Sequence, residues 1–297
     1  MFDVTVDRNL YLGGSDIPII MGISPFKSRF DLLLEKAGYK ENEFTGNEYT
    51  EFGNVIEPKI RDYINETEKD KFVENKMVDG DLRYHSDGVN KTTVLEIKST
   101  SQIKNDVNDY QLYLVQLLLG MQLNNKKKGK LAVYERPKDF NTEFDKDRLT
   151  VYDINIKDYK DLLEEINLAI DQFRIDLEKV KANPFITEED LQPKEVIELS
   201  NQIIELEEHL TIYKRIEKEQ KELKNKLKSA MQEHGIKKWT TPNGTKITLV
   251  DDGEDKEIEV FNEDNFKKDN EELYKKYLEK KIKKGRSGYV LITTKEE

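Results

Sequence analysis

The sequence predicts an α/β (α+β) chain: a core with a central sheet, then one long helix and a small C-terminal α+β extension. Three observations lead there. Short β-branched segments alternate with amphipathic helical ones up to about residue 184. A single 3-4 apolar rhythm then runs through residues 193–233, and after Gly235 turn residues and short alternating runs return. The 297 residues suffice for a core of roughly 200 residues plus an appendage.

In chain order, residues 30–36 predict a helix after the Ser24-Pro25 start signal. Residues 53–68 predict another, with Val55, Ile56, Ile60 and Ile64 spaced for one buried stripe. Residues 81–87 and 92–99 predict an antiparallel pair joined by Gly88-Val89-Asn90-Lys91, the β-branched run Thr92-Thr93-Val94 opening the second strand. A helix over about 107–122 carries Tyr110, Tyr113, Leu114, Leu117 and Leu118, and residues 130–135 and 152–156 predict strands. The helix over about 157–182 holds Leu162, Ile166, Ile170, Phe173, Leu177 and Val180, and Pro184 ends it.

Beyond it, Val196, Leu199, Ile203, Leu206, Leu210 and Tyr213 follow strict 3-4 spacing. That is the seam of a coiled coil or of a helix packed on its own domain. Glu217 and Gln220 break the register, and Leu223, Leu227 and Met231 resume it. Strands over 237–241 and 245–250 flank the turn Pro242-Asn243-Gly244. An acidic loop, a charged helix over about 263–284 and a strand over 288–294 follow. The expected domains are 1–190, 191–235 and 236–297.

Composition narrows the function. Charged residues make up 37% and hydrophobic ones 36%, the balance of a soluble, surface-heavy chain. No run approaches the ~20 apolar residues of a membrane helix, and the first residues lack the cationic-then-apolar order of a secretion signal. With no cysteine, disulfides, thiolate zinc, iron–sulfur clusters and a cysteine nucleophile are excluded. The three histidines, His85, His209 and His234, are too scattered for a familiar zinc motif. A metal site here is built mainly of carboxylates, which points to magnesium or manganese. A net charge of −11 argues against a generic polyanion binder and leaves room for a locally basic groove.

The segment that carries chemistry is His85-Ser86-Asp87-Gly88 followed by Glu96-Ile97-Lys98. An aspartate near the end of one strand and Glu-x-Lys on its partner bring three polar groups together. Alternation sets Glu96 and Lys98 on one face and turns Ile97 into the core. Two carboxylates can hold a divalent cation with phosphate oxygens, and a lysine beside them can orient or deprotonate a water, as phosphodiester hydrolysis needs. Exposed strands also carry Glu-x-Lys without function. Glu57, in Gly53-Asn54-Val55-Ile56-Glu57-Pro58, is either a third acidic group over the metal or an exposed helix glutamate. Gly13-Gly14-Ser15-Asp16 lacks the lysine of a nucleotide-binding P-loop but can offer N–H groups and the Ser15 hydroxyl to a phosphate. Gln116, three residues after Tyr113, is a neutral amide on an otherwise apolar helix and belongs to a structural network or to the site.

Arg8, Gly14-Ser15, Ser24-Pro25-Phe26, Gly53-x-x-x-Glu57-Pro58, Ser86-Asp87-Gly88, Glu96-Ile97-Lys98-Ser99 and Tyr113-x-x-Gln116, in that order, resemble the YqaJ-type viral recombinase family. That family includes phage lambda exonuclease and belongs to the PD-(D/E)XK nuclease superfamily; the resemblance covers about residues 8–184. It implies a restriction-endonuclease-like core, a mixed central sheet flanked by helices. It makes Asp87, Glu96 and the Ile97 carbonyl metal ligands, with Lys98 positioning the attacking water. Glu57 would support the metal, directly or through water, and Gln116 would lie near the metal or the scissile end. Arg8 and Ser15 would grip a 5′-phosphate, with His85, Ser86 and Tyr113 completing the DNA contacts. Ser86 replaces the usual proline, and His85 stands where lambda exonuclease has a phosphate-holding serine; a protonated His85 would add a third contact.

The implied function is a Mg2+- or Mn2+-dependent exonuclease, with two ions per site, in phage or prophage recombination. It would degrade one strand of linear duplex DNA from 5′ ends and leave 3′ single strands for an annealing protein. A homo-oligomer, a trimeric ring, in the bacterial cytoplasm is expected with it. Lys126-Lys127-Lys128 and Lys130 are either phosphate contacts or a solvated turn. The alternatives are an endonuclease or single-strand-specific nuclease of the same superfamily, and a decayed, non-catalytic interaction module.

Overall fold

The computed structural model describes residues 8–41, 46–250 and 258–278, with Arg8 described by its backbone alone. The chain divides into two compact units, residues 1–192 and 193–297.

The first unit is built on one mixed sheet. Its strands are β1 (Leu12–Gly13), β2 (Val73–Asp79), β3 (Leu82–Val89), β4 (Thr93–Thr100), β5 (Lys128–Glu135) and β6 (Leu149–Asn155). The spatial order is β1-β3-β4-β5-β6, with β2 also paired to β3. β1 is parallel to β3 and β4 to β5; the β2–β3, β3–β4 and β5–β6 pairs are antiparallel. A mixed sheet flanked by helices is the architecture the sequence predicted. The two-residue β1 and the edge strand β2 were not foreseen. β2 reads Val-Glu-Asn-Lys-Met-Val-Asp and is exposed along most of its length, so no apolar alternation announces it.

Alternation along β4 sorts the two faces. Leu95 and Ile97 pack against Phe52, Ile56 and Ile60 of α3 (Glu48–Thr67). Val94 faces the opposite core, formed with α1 (Ile17–Ile20), α2 (Arg29–Ala37), α4 (Gln111–Leu123) and α5 (Lys160–Ala182). α4 is the central helix: Leu114, Val115, Leu117, Leu118, Leu119 and Met121 are all buried, so it is apolar nearly all round, as an enclosed helix should be. α3 begins five residues before the predicted start, because Asn47 caps it by accepting from the Thr50 N–H at 3.1 Å. The helices foreseen at 107 and 157 instead open as 3-10 turns, Val107–Tyr110 and Ile156–Tyr159, before α4 and α5 begin.

In the second unit, α6 (Lys194–Glu233) is one uninterrupted 40-residue helix. β7 (Lys238–Thr240) and β8 (Lys246–Thr248) form the small antiparallel pair. The single charged helix expected from residue 263 is instead two short ones, α7 (Glu263–Asp269) and α8 (Glu271–Lys276). They separate at Asn270, which ends α7 in a non-helical conformation. The remainder of that expected helix and the strand over 288–294 lie outside the described residues.

Candidate active site

The site begins where β3 and β4 part. The two strands pair only at Gly88–Leu95 and Val89–Val94. One step further the ladder is replaced by a side chain: Asp87 Oδ2 accepts from the Ile97 backbone N–H at 2.6 Å. The splay opens a cavity of about 230 Å³ lined by β3, β4, α4 and the Gly13–Asp16 turn. Ser15, His85, Asp87, Glu96, Lys98 and Gln116, six of the residues singled out from sequence, share it.

Glu96 is buried and doubly held. Lys98 Nζ lies 2.6 Å from its Oε1, and the Tyr84 hydroxyl donates to its Oε2. Tyr84 was not anticipated. Its ring occupies space that two glycines leave: a Cβ at Gly14 would stand 2.7 Å from the ring, and one at Gly120 would stand 2.3 Å from it. Burial, then the Glu96 charge, pushes the Tyr84 phenol well above its ordinary value, so it stays a donor.

Burial also raises the Asp87 carboxyl well above the usual range; Glu96 and Glu57 add to the shift and Lys98 opposes it. Burial works against the Lys98 ammonium, but Glu96 and Asp87 outweigh it and lift Lys98 above the ordinary lysine value. As the partner of Glu96, the Lys98 ammonium is held in its protonated form.

Glu57 lines an adjacent groove together with Lys98, Ile97 and Tyr113. Burial raises its carboxyl, opposed first by Arg61. Arg61, a second unanticipated residue, lies one helical turn after Glu57. It donates to Glu57 Oε1 at 3.1 Å, to the Asp87 backbone carbonyl at 2.7 Å and to Glu74 at 2.7 Å, tying α3 to the aspartate strand. Its signal in sequence was the i, i+4 Glu–Arg spacing.

Across the cavity, the Gly13–Asp16 turn rests on a buried pair: Asp16 accepts from the Gly13 N–H at 2.9 Å and meets Lys36 at 2.8 Å, while Lys36 also donates to the Tyr11 carbonyl at 2.6 Å. Arg83, buried on β3, lies over the Tyr11 ring at 5.0 Å and lines the same wall. Nothing in the local sequence marked it, since a buried arginine is decided by what surrounds it.

Other expected contacts fall elsewhere. Ser86 is turned away from the cavity and buried; its hydroxyl accepts from Asn124 Nδ2 at 3.3 Å. Tyr113 stacks on Tyr110, ring centroids 5.9 Å apart, and lines the neighbouring grooves rather than the cavity. Burial, then the Arg83 and Lys76 charges, lowers the His85 pKa below its ordinary value, which favours the neutral imidazole in the cavity. The Arg8 side chain lies outside the described residues. Lys130 does not face a free surface: it pairs with Asp153 at 2.9 Å and with Glu68 at 3.7 Å.

The donor set suits a hard cation. Asp87 and Glu96 supply carboxylate oxygens, and magnesium characteristically takes one or two carboxylates and completes its shell with water and substrate phosphate. Among the described residues no three His, Asp or Glu side chains converge on one point. The fit is therefore to an ion completed by substrate, not to a closed protein cage.

The mixed sheet flanked by helices, with an acidic pair and a lysine at the splay of two central strands, is the arrangement the sequence led us to expect. In the sequence comparison, residues 5–122 match the model of the YqaJ-like viral recombinase domain. No curated protein matches the chain. Solved structures that resemble it include LHK-Exo in complex with dAMP (18% identity, 60% of this chain and 95% of that one, TM-score 0.43). The alkaline exonuclease LHK-Exo from Laribacter hongkongensis is also similar (16%, 60% and 94%, TM-score 0.42). So is a phage-related exonuclease from Haemophilus somnus 129PT (16%, 57% and 96%, TM-score 0.43).

Proposed function

We propose that this chain is a divalent-metal-dependent DNA exonuclease of phage-type recombination. It removes nucleotides from the 5′ ends of linear duplexes and leaves 3′ single strands for an annealing protein. The observation that carries the reading is the convergence of Asp87, Glu96 and Lys98 with Ser15 and Gln116 in one cavity.

Asp87 and Glu96 would hold magnesium or manganese, with Glu57 supporting it from the adjacent groove. The bound ion supplies Lewis-acid polarisation of the phosphoryl group and stabilises the leaving O3′. Lys98, held protonated by Glu96, directs a water at phosphorus, and attack breaks the P–O3′ bond. Tyr84 and Lys98 fix both oxygens of Glu96, so the carboxylate is positioned before substrate arrives. Arg61 does the same for the Asp87 strand through its carbonyl. Ser15, with Arg8, takes the terminal phosphate. A ring-shaped homo-oligomer would suit a chain of net charge −11, with DNA passing only along a basic inner wall.

The test is digestion of linear duplexes labelled at either end, with and without 5′-phosphate, beside a circular control. Magnesium-dependent release from phosphorylated 5′ ends, with the circle intact, is expected. Full activity in excess EDTA overturns the metal, and cutting of the circle overturns the exonuclease.

A further inference from the structure

We infer that α6 is an antiparallel self-association helix: it pairs with α6 of a second copy of this chain about a two-fold axis at Tyr213. The helix leaves Val196, Leu199, Ile203, Leu206, Leu210 and Tyr213 exposed, and Ile216, Leu223 and Leu227 continue the stripe, each between 37% and 69% accessible. A contiguous apolar stripe along so long a helix is the mark of an interaction face.

Its spacing identifies the partner. Counted outward from Tyr213 toward the N-terminus, the stripe steps by 3, 4, 3, 4 and 3 residues, to Leu210, Leu206, Ile203, Leu199 and Val196. Counted toward the C-terminus it steps by the same 3, 4, 3, 4 and 3, to Ile216, Gln220, Leu223, Leu227 and Ala230. The rhythm reverses at Tyr213, which is why Glu217 and Gln220 break the 3-4 register carried on from the N-terminal side. A two-fold isologous contact has this requirement: residue i meets j and j meets i, with constant sum. Leu210 faces Ile216, Ile203 faces Leu223 and Leu199 faces Leu227, while Tyr213 meets its own copy. Only the Leu206–Gln220 layer is mixed. The 3-3 step at Tyr213 overwinds the supercoil at the crossing.

Charge selects the same orientation. Residues 194–213 hold five glutamates against one lysine, whereas residues 214–233 hold seven Lys or Arg against four glutamates. Antiparallel pairing sets each acidic half on a basic half. Parallel pairing would stack like on like.

The chain has no cysteine, so single-cysteine variants of the full-length protein read the geometry directly. Under mild oxidation, Tyr213→Cys should cross-link into a covalent dimer. Leu199→Cys alone should not, because in the antiparallel pair it lies about 42 Å from its own copy at 1.5 Å per residue. Mixing Leu199→Cys with a mass-tagged Leu227→Cys should give the mixed dimer at least tenfold above Leu199→Cys alone. Cross-linking of Leu199→Cys to itself as readily as in the mixture makes the helices parallel and overturns the proposal. So does failure of Tyr213→Cys to cross-link, or a wild-type chain that sediments as a monomer at micromolar concentration.

Discussion

The two units of this chain handle apolar residues in opposite ways. Through residue 192, the helices and strands bury Leu, Ile, Val, Phe and Tyr on both faces of one sheet, and even the charged groups Asp16, Lys36, Arg83, Glu96 and Asp176 are taken inside with partners. From residue 193, Met231 is the only large apolar side chain buried among the described residues, and an apolar stripe stays in water. The first unit is complete as a fold and spends its polar residues on a site. Among its described residues the second has helical rhythm without an enclosed core, and the stripe is the face assigned above to a second copy.

The sharpest way to separate the units is through chemistry. Asp87→Ala or Glu96→Ala should reduce cleavage by at least about 1,000-fold, the scale set by losing metal-based charge stabilisation, with circular dichroism unchanged. Leu206→Ala on α6 should leave the rate per chain as it was. A Glu96→Ala protein that still cuts at the wild-type rate removes the cavity from the mechanism.

Stability gives the next contrast, with one kind of substitution in both units. Leu117→Ala, in the fully buried heart of α4, should cost about 2–5 kcal/mol in denaturant unfolding. Leu206→Ala, measured at a concentration where chains are separate, should change stability by no more than about 0.5 kcal/mol. Equal costs would mean that α6 is packed within its own chain.

A third test uses pH. Asp176 is buried on α5, where Arg29 meets it at 2.8 Å and Lys179 at 2.9 Å. Burial raises its carboxyl, but hydrogen bonds from Lys179 and Arg29 outweigh that and leave the pKa below the ordinary value. A carboxylate lowered in the folded state adds stability above its unfolded pKa and loses it as pH falls through the folded value. Asp176→Asn should therefore cost about 1.5–3 kcal/mol at pH 7 and almost nothing near pH 2, as followed by thermal unfolding. A pH-independent cost would make packing, not charge, the cause.

The smallest effect runs the other way. Asp87 is raised by burial and by Glu96, so its own contribution to the metal-free fold is fully present below the ordinary carboxylate pKa and is lost as pH rises through the raised value. Asp87→Asn should gain about 1 kcal/mol in EDTA at pH 8, about 2–4 °C for a chain of this size. It should lose the stabilisation that magnesium gives the wild type. If magnesium still raises the variant's melting temperature as much, Asp87 is not a ligand.

What the sequence determined by itself was local or periodic. Alternation put Glu96 and Lys98 on one side of β4 and Ile97 on the other, because a strand has only two faces. The apolar content of residues 107–122 marked a central helix, and the 3-4 rhythm after residue 193 marked α6. The order of short motifs gave the resemblance to the YqaJ-like domain, whose model matches residues 5–122. What only the tertiary structure decided depends on residues far apart in the chain. Tyr84 reaches Glu96 because Gly14 and Gly120, more than a hundred residues apart, both leave room for its ring. Arg61 reaches the Asp87 carbonyl across the gap between a helix and a strand. Ser86 turns to Asn124 because β3 sets it on the face that α4 covers. The His85 pKa is lowered because burial, with Arg83 and Lys76 nearby, opposes its charge. A side chain's rhythm is written in its neighbours along the chain, but its proton and its partner are set by whatever folds against it.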